Sequence, residues 1–284
     1  MFRRLIFLTA VLALFLANYS CHETKIQEAA VNWWDSIKQA EKDSIKLYPL
    51  LAELEKFISA RCVDSSTTSF LIIDDTEDQP VILAEFHPGQ LLIPASVQKI
   101  LVTGAALEIL GDQVRREVMI TNQQSNNRIA NKLFQNIGKE IYGRRSYATG
   151  CEAVINFWKS KGIDMAGVHM ADGCGRRYDN FVSARQLVDI LFYETTAPTF
   201  GAFYSSLPLS GVSGTLRKSL RGTVAEGKIR AKTGTLAAIK TLAGYASTVN
   251  GRKLVFAFLI NNFVCREYLL KRKLDAILIK MTEL

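Results

Sequence analysis

Two periodicities of apolar and polar residues run along the chain, one typical of helices and one typical of strands. Residues 24–58 follow the helical period, with charged residues on the opposite face. Shorter helical patterns follow at 96–110, 126–137, 151–161, 183–193 and 266–282. Gly111, Gly138 and Gly162 come directly after three of these patterns, and we expect each glycine to end its helix.

Apolar runs of strand length lie on both sides of the central helices. The runs at 70–74 and 81–86 flank polar residues 75–80, which predicts a β-hairpin. Three further strand patterns occur at 228–233, 242–248 and 254–261, with turns at 235–238 and 250–251. Strands towards both ends with helices between them predict an α/β (α+β) fold, in which one antiparallel sheet is flanked by helices.

Composition places the chain among folded proteins. It has 284 residues, of which 48% are hydrophobic and 22% charged, enough to build a core and too few charges for a disordered chain. The net charge of +8 would favour an anionic polymer or a lipid surface. Dense Lys/Arg tracts interleaved with aromatic residues do not occur, so we expect no nucleic-acid partner.

The first twenty residues have the pattern of an export signal. Arg3 and Arg4 form a basic start, and residues 5–17 are an uncharged apolar run that is too short to span a bilayer comfortably. We therefore expect residues 1–20 to be a signal peptide that directs the protein to the periplasm or cell envelope.

Cys21 leaves two interpretations of this export open. It opens a polar stretch, which indicates a lipid-modified cysteine, but Asn18 and Tyr19 differ from the small and aliphatic residues that usually precede one. A lipid anchor at Cys21 therefore competes with plain secretion or an uncleaved anchor. Beyond the signal we expect an N-terminal helical segment over residues 21–58 and a single domain over residues 59–284.

The remaining cysteines do not indicate a metal site. They are Cys62, Cys151, Cys174 and Cys265. An exported compartment permits disulfides, but free buried thiols are favoured over any one pairing. Their spacing and that of the histidines match no zinc pattern, so no metal and no cofactor are expected.

The first motif with chemical meaning is S-x-x-K, from Ser96 to Lys99. Positions i and i+3 share a helix face, so Lys99 is expected beside the Ser96 hydroxyl. A serine becomes a good nucleophile when a base takes its proton, and a lysine can be that base if burial or a second cation lowers its pKa. The motif is weak by itself because it occurs often by chance.

A second motif, S-x-N, runs from Ser125 to Asn127 at the start of a predicted helix. Two interpretations of Ser125 stay open: an N-cap residue, or a proton relay beside Asn127, whose amide would hold substrate and Lys99. A third motif, K-T-G-T, comprises Lys232, Thr233, Gly234 and Thr235. We expect Lys232 to supply positive charge that also lowers the pKa of Lys99, and Gly234 to let a substrate backbone approach. The threonines can hydrogen-bond a carboxylate.

Taken in order, the three motifs match the signature of serine β-lactamases and penicillin-binding proteins. The chain resembles the D-alanyl-D-alanine carboxypeptidase/endopeptidase family of low-molecular-mass penicillin-binding proteins over about residues 60–265. Further matching segments are Ala171–Gly175, Asp179–Ala184, Leu207–Leu216 and Gly244–Tyr245.

This resemblance implies a serine β-lactamase/transpeptidase-like fold and a D,D-peptidase that acts on peptidoglycan peptides ending in D-Ala-D-Ala. It implies that β-lactams are covalent inhibitors. Ser96 would be the acylated nucleophile, Lys99 the base, and the backbone N–H groups of Ser96 and Thr235 the oxyanion hole. The implied supporting groups are Ser125, Asn127 and Lys232.

Two departures from the family pattern affect what can be carried over. Family members typically have large extra domains between the first two motifs, whereas Lys99 and Ser125 are only 26 positions apart. Cys174 also stands where the family usually has serine, so its thiol could be oxidised or alter the edge of the site.

Two rival functions stay open. A β-lactamase or esterase on the same fold needs a base for deacylation. Glu152 in E-x-x-x-N could suggest one, but it falls on an amphipathic helix, which favours a structural role. The other rival is a non-catalytic sensor of cell-wall peptides, against which the intact Ser96, Lys99 and Lys232 argue.

Overall fold

The computed structural model describes residues 46–77 and 79–284 of the chain. The predicted signal peptide, Cys21 and residues 24–45 of the leading helical pattern lie outside the described residues, and residues 46–58 are helical. The chain divides into two compact units, residues 1–48 and 49–284. The sheet and the candidate site belong to the second unit.

The predicted antiparallel sheet is confirmed. Its strands are β1 (Thr68–Asp74), β2 (Val81–Phe86), β3 (Ile229–Leu236), β4 (Ile239–Ser247) and β5 (Lys253–Asn261). They lie in the order β2-β1-β5-β4-β3, and every neighbouring pair is antiparallel. Strand β1 therefore pairs directly with β5, so that early and late segments of the chain meet in the centre of the sheet.

The helices come between β2 and β3 and after β5. They are α1 (Lys99–Leu110), α2 (Arg115–Gln123), α3 (Asn127–Tyr142), α4 (Tyr147–Ser160), α5 (Ala184–Thr196), α6 (Phe200–Ser206) and α7 (Glu267–Glu283). Helix α5 packs against β1, β4 and β5, and α7 packs against β4. Val255, Ala257 and Leu259 belong to the core shared with the helices, and the intervening β5 residues Phe256 and Phe258 are buried as well. Because side chains alternate across a strand, both faces of β5 are covered.

Several predicted boundaries were wrong, and the largest error concerns Gly138. Helix α3 continues through Gly138 and ends at Tyr142, and the capping residue Gly143 has a φ of 69° in the left-handed region. A Cβ on Gly138 would lie 2.6 Å from the backbone nitrogen of Gly150 in α4. Glycine is therefore needed at position 138 for close packing of two helices, not for a helix end.

Helices α2 and α6, which have nine and seven residues, were not predicted. Helix α4 begins at Tyr147, four residues before the predicted start, since Ser146 and Thr149 form a capping box. Ser183 caps α5 as predicted. None of the helices within the described part of the chain is long and apolar enough to span a membrane.

Candidate active site

Ser96 lies in a 3₁₀ turn, Ala95–Gln98, that leads into α1, so the first turn is tighter than the α-helix predicted from Ser96 onwards. The preceding residue, Ala95, has a φ of 48°, which is strained for a residue with a Cβ. Such strained positions persist where the surrounding structure holds them, often at functional sites. Ser96 itself is half-buried, and its hydroxyl is the predicted nucleophile.

Lys99 lies beside Ser96, at the position that the motif predicted. Its Nζ is 2.8 Å from Ser96 Oγ, 2.9 Å from Asn127 Oδ1 and 2.7 Å from the backbone oxygen of Cys174. The Lys99 side chain is fully buried. Parts of three elements (α1, the start of α3 and the loop around Cys174) therefore converge on this one amine.

Burial is the main cause of a lowered Lys99 pKa. Desolvation lowers it to about 8, and the charge of Asp172 opposes that shift. From the sequence we expected burial or a second cation to lower this pKa, and Lys232 to contribute; burial is the cause found, and the charge of Lys232 is not among the causes. The repulsion between the two lysines instead affects Lys232: burial, and then the charge of Lys99, hold the pKa of Lys232 well below its ordinary value.

Ser125 is not the N-cap of α3, so that interpretation was wrong. Asn126 is the cap, because its side chain accepts a hydrogen bond from the backbone N–H of Ile129. Ser125 instead has a φ of 53° and accepts a hydrogen bond of 3.0 Å from Lys232 Nζ. Lys232 also donates to the backbone oxygen of Thr233 at 2.8 Å. The second and third motifs thus meet through a serine–lysine pair.

Gly234 brings β3 against the serine. A Cβ at this position would lie 2.8 Å from the backbone nitrogen of Ser96 and 2.1 Å from Thr241 Oγ1. From the sequence we expected this glycine to make room for a substrate backbone. The group that approaches closely is part of the protein itself, and Thr241 in turn donates to the backbone oxygen of Pro94 at 2.7 Å.

The two threonines of the third motif have different partners. Thr233 Oγ1 donates to Thr215 Oγ1 at 2.8 Å. Thr235 is exposed, and its Oγ1 accepts a hydrogen bond of 2.8 Å from Lys240 Nζ. Both threonines lie on β3. Their hydrogen-bond partners, Thr215 and Lys240, were not predicted. Lys240 could have been found from the hairpin register, in which Thr235 pairs with Lys240.

The loop at Asp172 holds the carbonyl group that Lys99 contacts, and sequence reasoning assigned it no such role. Asp172 Oδ1 accepts hydrogen bonds from the backbone nitrogens of Cys174 (3.1 Å) and Gly175 (2.6 Å). Gln98 donates to the backbone oxygen of Asp172 and, at 3.0 Å, to Asn180 Oδ1. The loop is therefore tied to the turn that carries Ser96.

Cys174 contributes its carbonyl oxygen, so its side chain is free to differ from the serine usual in the family. Its side chain is buried, and burial raises the pKa of the thiol, which disfavours the reactive thiolate. Oxidation of Cys174 is therefore disfavoured. All four cysteines of the described residues are free thiols, and only Cys174 is fully buried.

Residues that could have suggested other chemistry lie apart from these motifs. Glu152 is exposed on α4. His169 Nδ1 lies 2.5 Å from the backbone oxygen of Asp179, so its ring hydrogen-bonds the loop that contains Asp179. Within residues 46–77 and 79–284, no three His, Cys, Asp or Glu side chains cluster as metal ligands do.

Comparison with known proteins identifies relatives of this arrangement. The profile of the D-Ala-D-Ala carboxypeptidase 3 (S13) family matches residues 116–278. A D-alanyl-D-alanine carboxypeptidase of Actinomadura sp. (strain R39) is 37% identical over 143 residues, which are 49% of this chain and 26% of the relative. The D-alanyl-D-alanine carboxypeptidase DacB of Haemophilus influenzae is 28% identical over 182 residues, 63% of this chain and 37% of the relative. The chain thus spans about a quarter to over a third of the length of these relatives.

Solved structures establish the fold. Penicillin-binding protein 4 of Haemophilus influenzae, complexed with a β-lactam, aligns with a TM-score of 0.54 at 24% identity over 58% of this chain and 40% of that chain. The TLA-1 extended-spectrum β-lactamase aligns with a TM-score of 0.65 at 13% identity over 82% of this chain and 97% of that chain. The predicted serine β-lactamase/transpeptidase-like fold is confirmed.

Proposed function

Because the chain belongs to the D-Ala-D-Ala carboxypeptidase 3 (S13) family, we propose that it is a serine D,D-peptidase that removes the terminal D-Ala from peptidoglycan peptides. The observation that supports this most strongly is the buried Lys99 amine within hydrogen-bond distance of Ser96 Oγ. A buried amine with a pKa of about 8 can take a proton from a serine hydroxyl near neutral pH.

The neighbours of Lys99 favour the direction of that proton transfer. Asn127 Oδ1 and the carbonyl oxygen of Cys174 can only accept hydrogen bonds. The two N–H groups of the neutral amine would occupy these oxygens. Its lone pair then faces Ser96 Oγ and can receive the hydroxyl proton.

The proposed reaction is an acyl transfer in two stages. Ser96 Oγ attacks the penultimate D-Ala carbonyl carbon while Lys99 takes its proton, and the oxyanion is held by the backbone N–H groups of Ser96 and Thr235. Ser125, which accepts a hydrogen bond from Lys232, gives its proton to the leaving amine and takes in return the proton that Lys99 removed from Ser96. The C–N bond breaks and D-Ala departs. Water then hydrolyses the ester and restores the Ser96 hydroxyl.

The same site would react with β-lactams, whose acylating carbonyl replaces the peptide carbonyl. Glu152, which the sequence suggested as a deacylating base, is exposed on α4. A slowly hydrolysed penicilloyl ester fits the site better than efficient β-lactam destruction. We also propose that the protein works outside the cytoplasm, with residues 1–20 as signal peptide and Cys21 as a candidate lipid attachment.

The test is the intact mass of the purified protein after brief incubation with benzylpenicillin. We expect the wild type to gain the mass of one penicillin and Ser96→Ala to gain none. Ser213→Ala is the matched control, because Ser213 lies in a G-V-S-G segment and its hydroxyl accepts a hydrogen bond from the backbone nitrogen of Leu209. It should still form the adduct.

The wild type should also release D-Ala from an N-acylated peptide ending in D-Ala-D-Ala, which separates an enzyme from a sensor. Rapid loss of the drug without an adduct would indicate a β-lactamase instead. If the protein formed no adduct and the drug were not consumed, the proposed site would be contradicted.

A further inference from the structure

Lys240 belongs to none of the three motifs but contacts the last residue of the third motif, Thr235. It lies on β4 directly opposite Thr235 of β3. Its Nζ donates to Thr235 Oγ1 at 2.8 Å and to Glu267 Oε1 at 2.6 Å. Only 14% of its side chain is exposed, so its position is well defined.

The hydrogen bond from Lys240 fixes the direction of the Thr235 hydroxyl. An ammonium group can only donate, so the Thr235 oxygen must be the acceptor. The hydroxyl proton of Thr235 is then directed away from Lys240 and is available to a ligand. Thr233 differs, because its hydroxyl donates to Thr215 Oγ1. Of the two threonines, Thr235 is therefore the better donor to an incoming carboxylate.

Lys240 also supplies charge where the motif lysine is poorly placed to do so. Lys232 is fully buried, and its Nζ is directed to Ser125 Oγ and the backbone oxygen of Thr233. Thr235, by contrast, is exposed and touches Lys240. A carboxylate bound by the Thr235 hydroxyl would lie within a few ångströms of the Lys240 charge, and opposite charges that are partly removed from water attract strongly.

The partner of Lys240 leaves part of this charge available. Glu267, at the start of α7, has a side chain that is 54% exposed. Because the carboxylate of Glu267 is largely open to water, water screens its charge, so Glu267 orients the ammonium without fully neutralising it. Thr235 and Lys240 also line a cavity of about 300 Å³ between β3, β4 and α7.

We propose that Lys240 is a specificity-determining residue, which orients Thr235 and adds the positive charge that selects peptides with a free C-terminal carboxylate. This inference rests on the proposed function, because it assigns the carboxylate of the leaving D-Ala to Thr235. Lys240 acts through Thr235 and is a positioning residue in that reaction.

The chain offers a matched control in Lys271. Lys271 lines the same cavity and forms a comparable ion pair, 2.5 Å from Asp275 on the same helix. Its hydrogen bond goes to Asp275 rather than to Thr235. Lys271→Met thus removes one positive charge from the cavity without changing the Thr235 contact.

The experiment measures binding in the Ser96→Ala background, so that it does not depend on catalysis. Calorimetry compares an N-acetylated peptide ending in D-Ala-D-Ala with the same peptide as its C-terminal amide. The readout is the affinity for the free acid divided by the affinity for the amide. Lys240→Met should lower this ratio about tenfold, as expected for loss of a charge-assisted hydrogen bond. Lys240→Arg should restore most of it, and Lys271→Met should change it less than about twofold.

Glu267→Gln gives a prediction of opposite sign, because it releases Lys240 from its partner and should raise the ratio. An unchanged ratio in Lys240→Met, equal losses for acid and amide, or no binding of the free acid would each overturn the inference. A penicillin adduct on the wild type together with an unchanged ratio would refute the role of Lys240 alone. If Lys240→Met lowered the ratio as expected but the wild type formed no penicillin adduct, the proposed function alone would be refuted.

Discussion

The proposed chemistry of the site depends on the protonation of one amine. Lys99 Nζ is close to three oxygens, those of Ser96, Asn127 and Cys174. Three acceptors suit an ammonium group, whereas burial favours the neutral amine, and the balance lowers the pKa to about 8. At pH 7 about a tenth of Lys99 is therefore deprotonated and able to act as a base.

We expect the rate of Ser96 acylation by benzylpenicillin to rise with pH and to level off above about pH 8, because only neutral Lys99 can accept the proton. Second-order rate constants measured from pH 6 to 9 check this. Lys99→Arg keeps the charge but cannot deprotonate, and should lower the rate at least about 100-fold. Lys271→Met should keep the wild-type profile. A wild-type rate that did not rise between pH 6.5 and 8 would contradict the role of Lys99.

At the scale of elements, α3 and α4 pack closely because both carry glycine at their contact. A Cβ on Gly138 would lie 2.6 Å from the Gly150 nitrogen, and one on Gly150 would lie 2.6 Å from the Phe134 oxygen. Neither neighbour can move easily, since both are backbone atoms. Helix α3, which begins with Asn127, also packs against α1.

We therefore expect Gly138→Ala to destabilise the protein by about 1–3 kcal/mol, the usual effect of overpacking. Helix propensity alone would predict a gain of about 1 kcal/mol, so the sign of the change decides between the two effects. Gly201→Ala is the control, because Gly201 lies in α6 with open space around its Cβ position. It should be neutral or slightly stabilising. Urea unfolding of the three proteins measures both changes, and a stabilised Gly138→Ala would show that the helices can separate without cost.

At the scale of the whole molecule, a buried acid lies between α5 and α1. Glu194, near the end of α5, is fully buried, and neither carboxylate oxygen has a hydrogen-bond partner among the described residues. A Cβ on Gly104 of α1 would lie 2.1 Å from Glu194 Oε1. Burial, and then the charge of Glu108, raise the pKa of Glu194 to about 8. The folded protein therefore holds this side chain as a neutral acid at neutral pH.

This raised pKa predicts that global stability falls as pH rises from about 5 to 8. In that range the folded state keeps the Glu194 proton and the unfolded state releases it, so unfolding becomes easier by up to about 1.4 kcal/mol per pH unit. The contribution of protonated Glu194 to the free energy of unfolding is fully present below the ordinary pKa of 4.5 and is lost as the pH rises through about 8. Glu194→Gln should remove this dependence, whereas Glu152→Gln, at an exposed position, should keep it. Urea unfolding at pH 5, 6.5 and 8 gives the comparison, and parallel curves for wild type and Glu194→Gln would contradict it.

Local chemistry was enough to predict most elements and the residues of the three motifs. The β1–β2 hairpin and the strands that became β3, β4 and β5 were predicted because a strand's apolar pattern depends on adjacent residues. The contact between Lys99 and Ser96 was predicted for the same reason, since they are three positions apart on one helical turn. That S-x-x-K, S-x-N and K-T-G-T belong to one site followed from their order and from the family resemblance.

Tertiary structure decided the contacts between residues far apart in the chain. The carbonyl of Cys174 meets Lys99 from 75 positions away, and Lys232 meets Ser125 from 107 positions away. Glycine is required at positions 138 and 234 because backbone from another part of the chain packs closely against each. The contact of Lys240 with Thr235 depended on the exact hairpin register, which the predicted turn at 235–238 missed. A sequence pattern reports which face of an element is buried, whereas the atoms that meet there are set by how the elements pack.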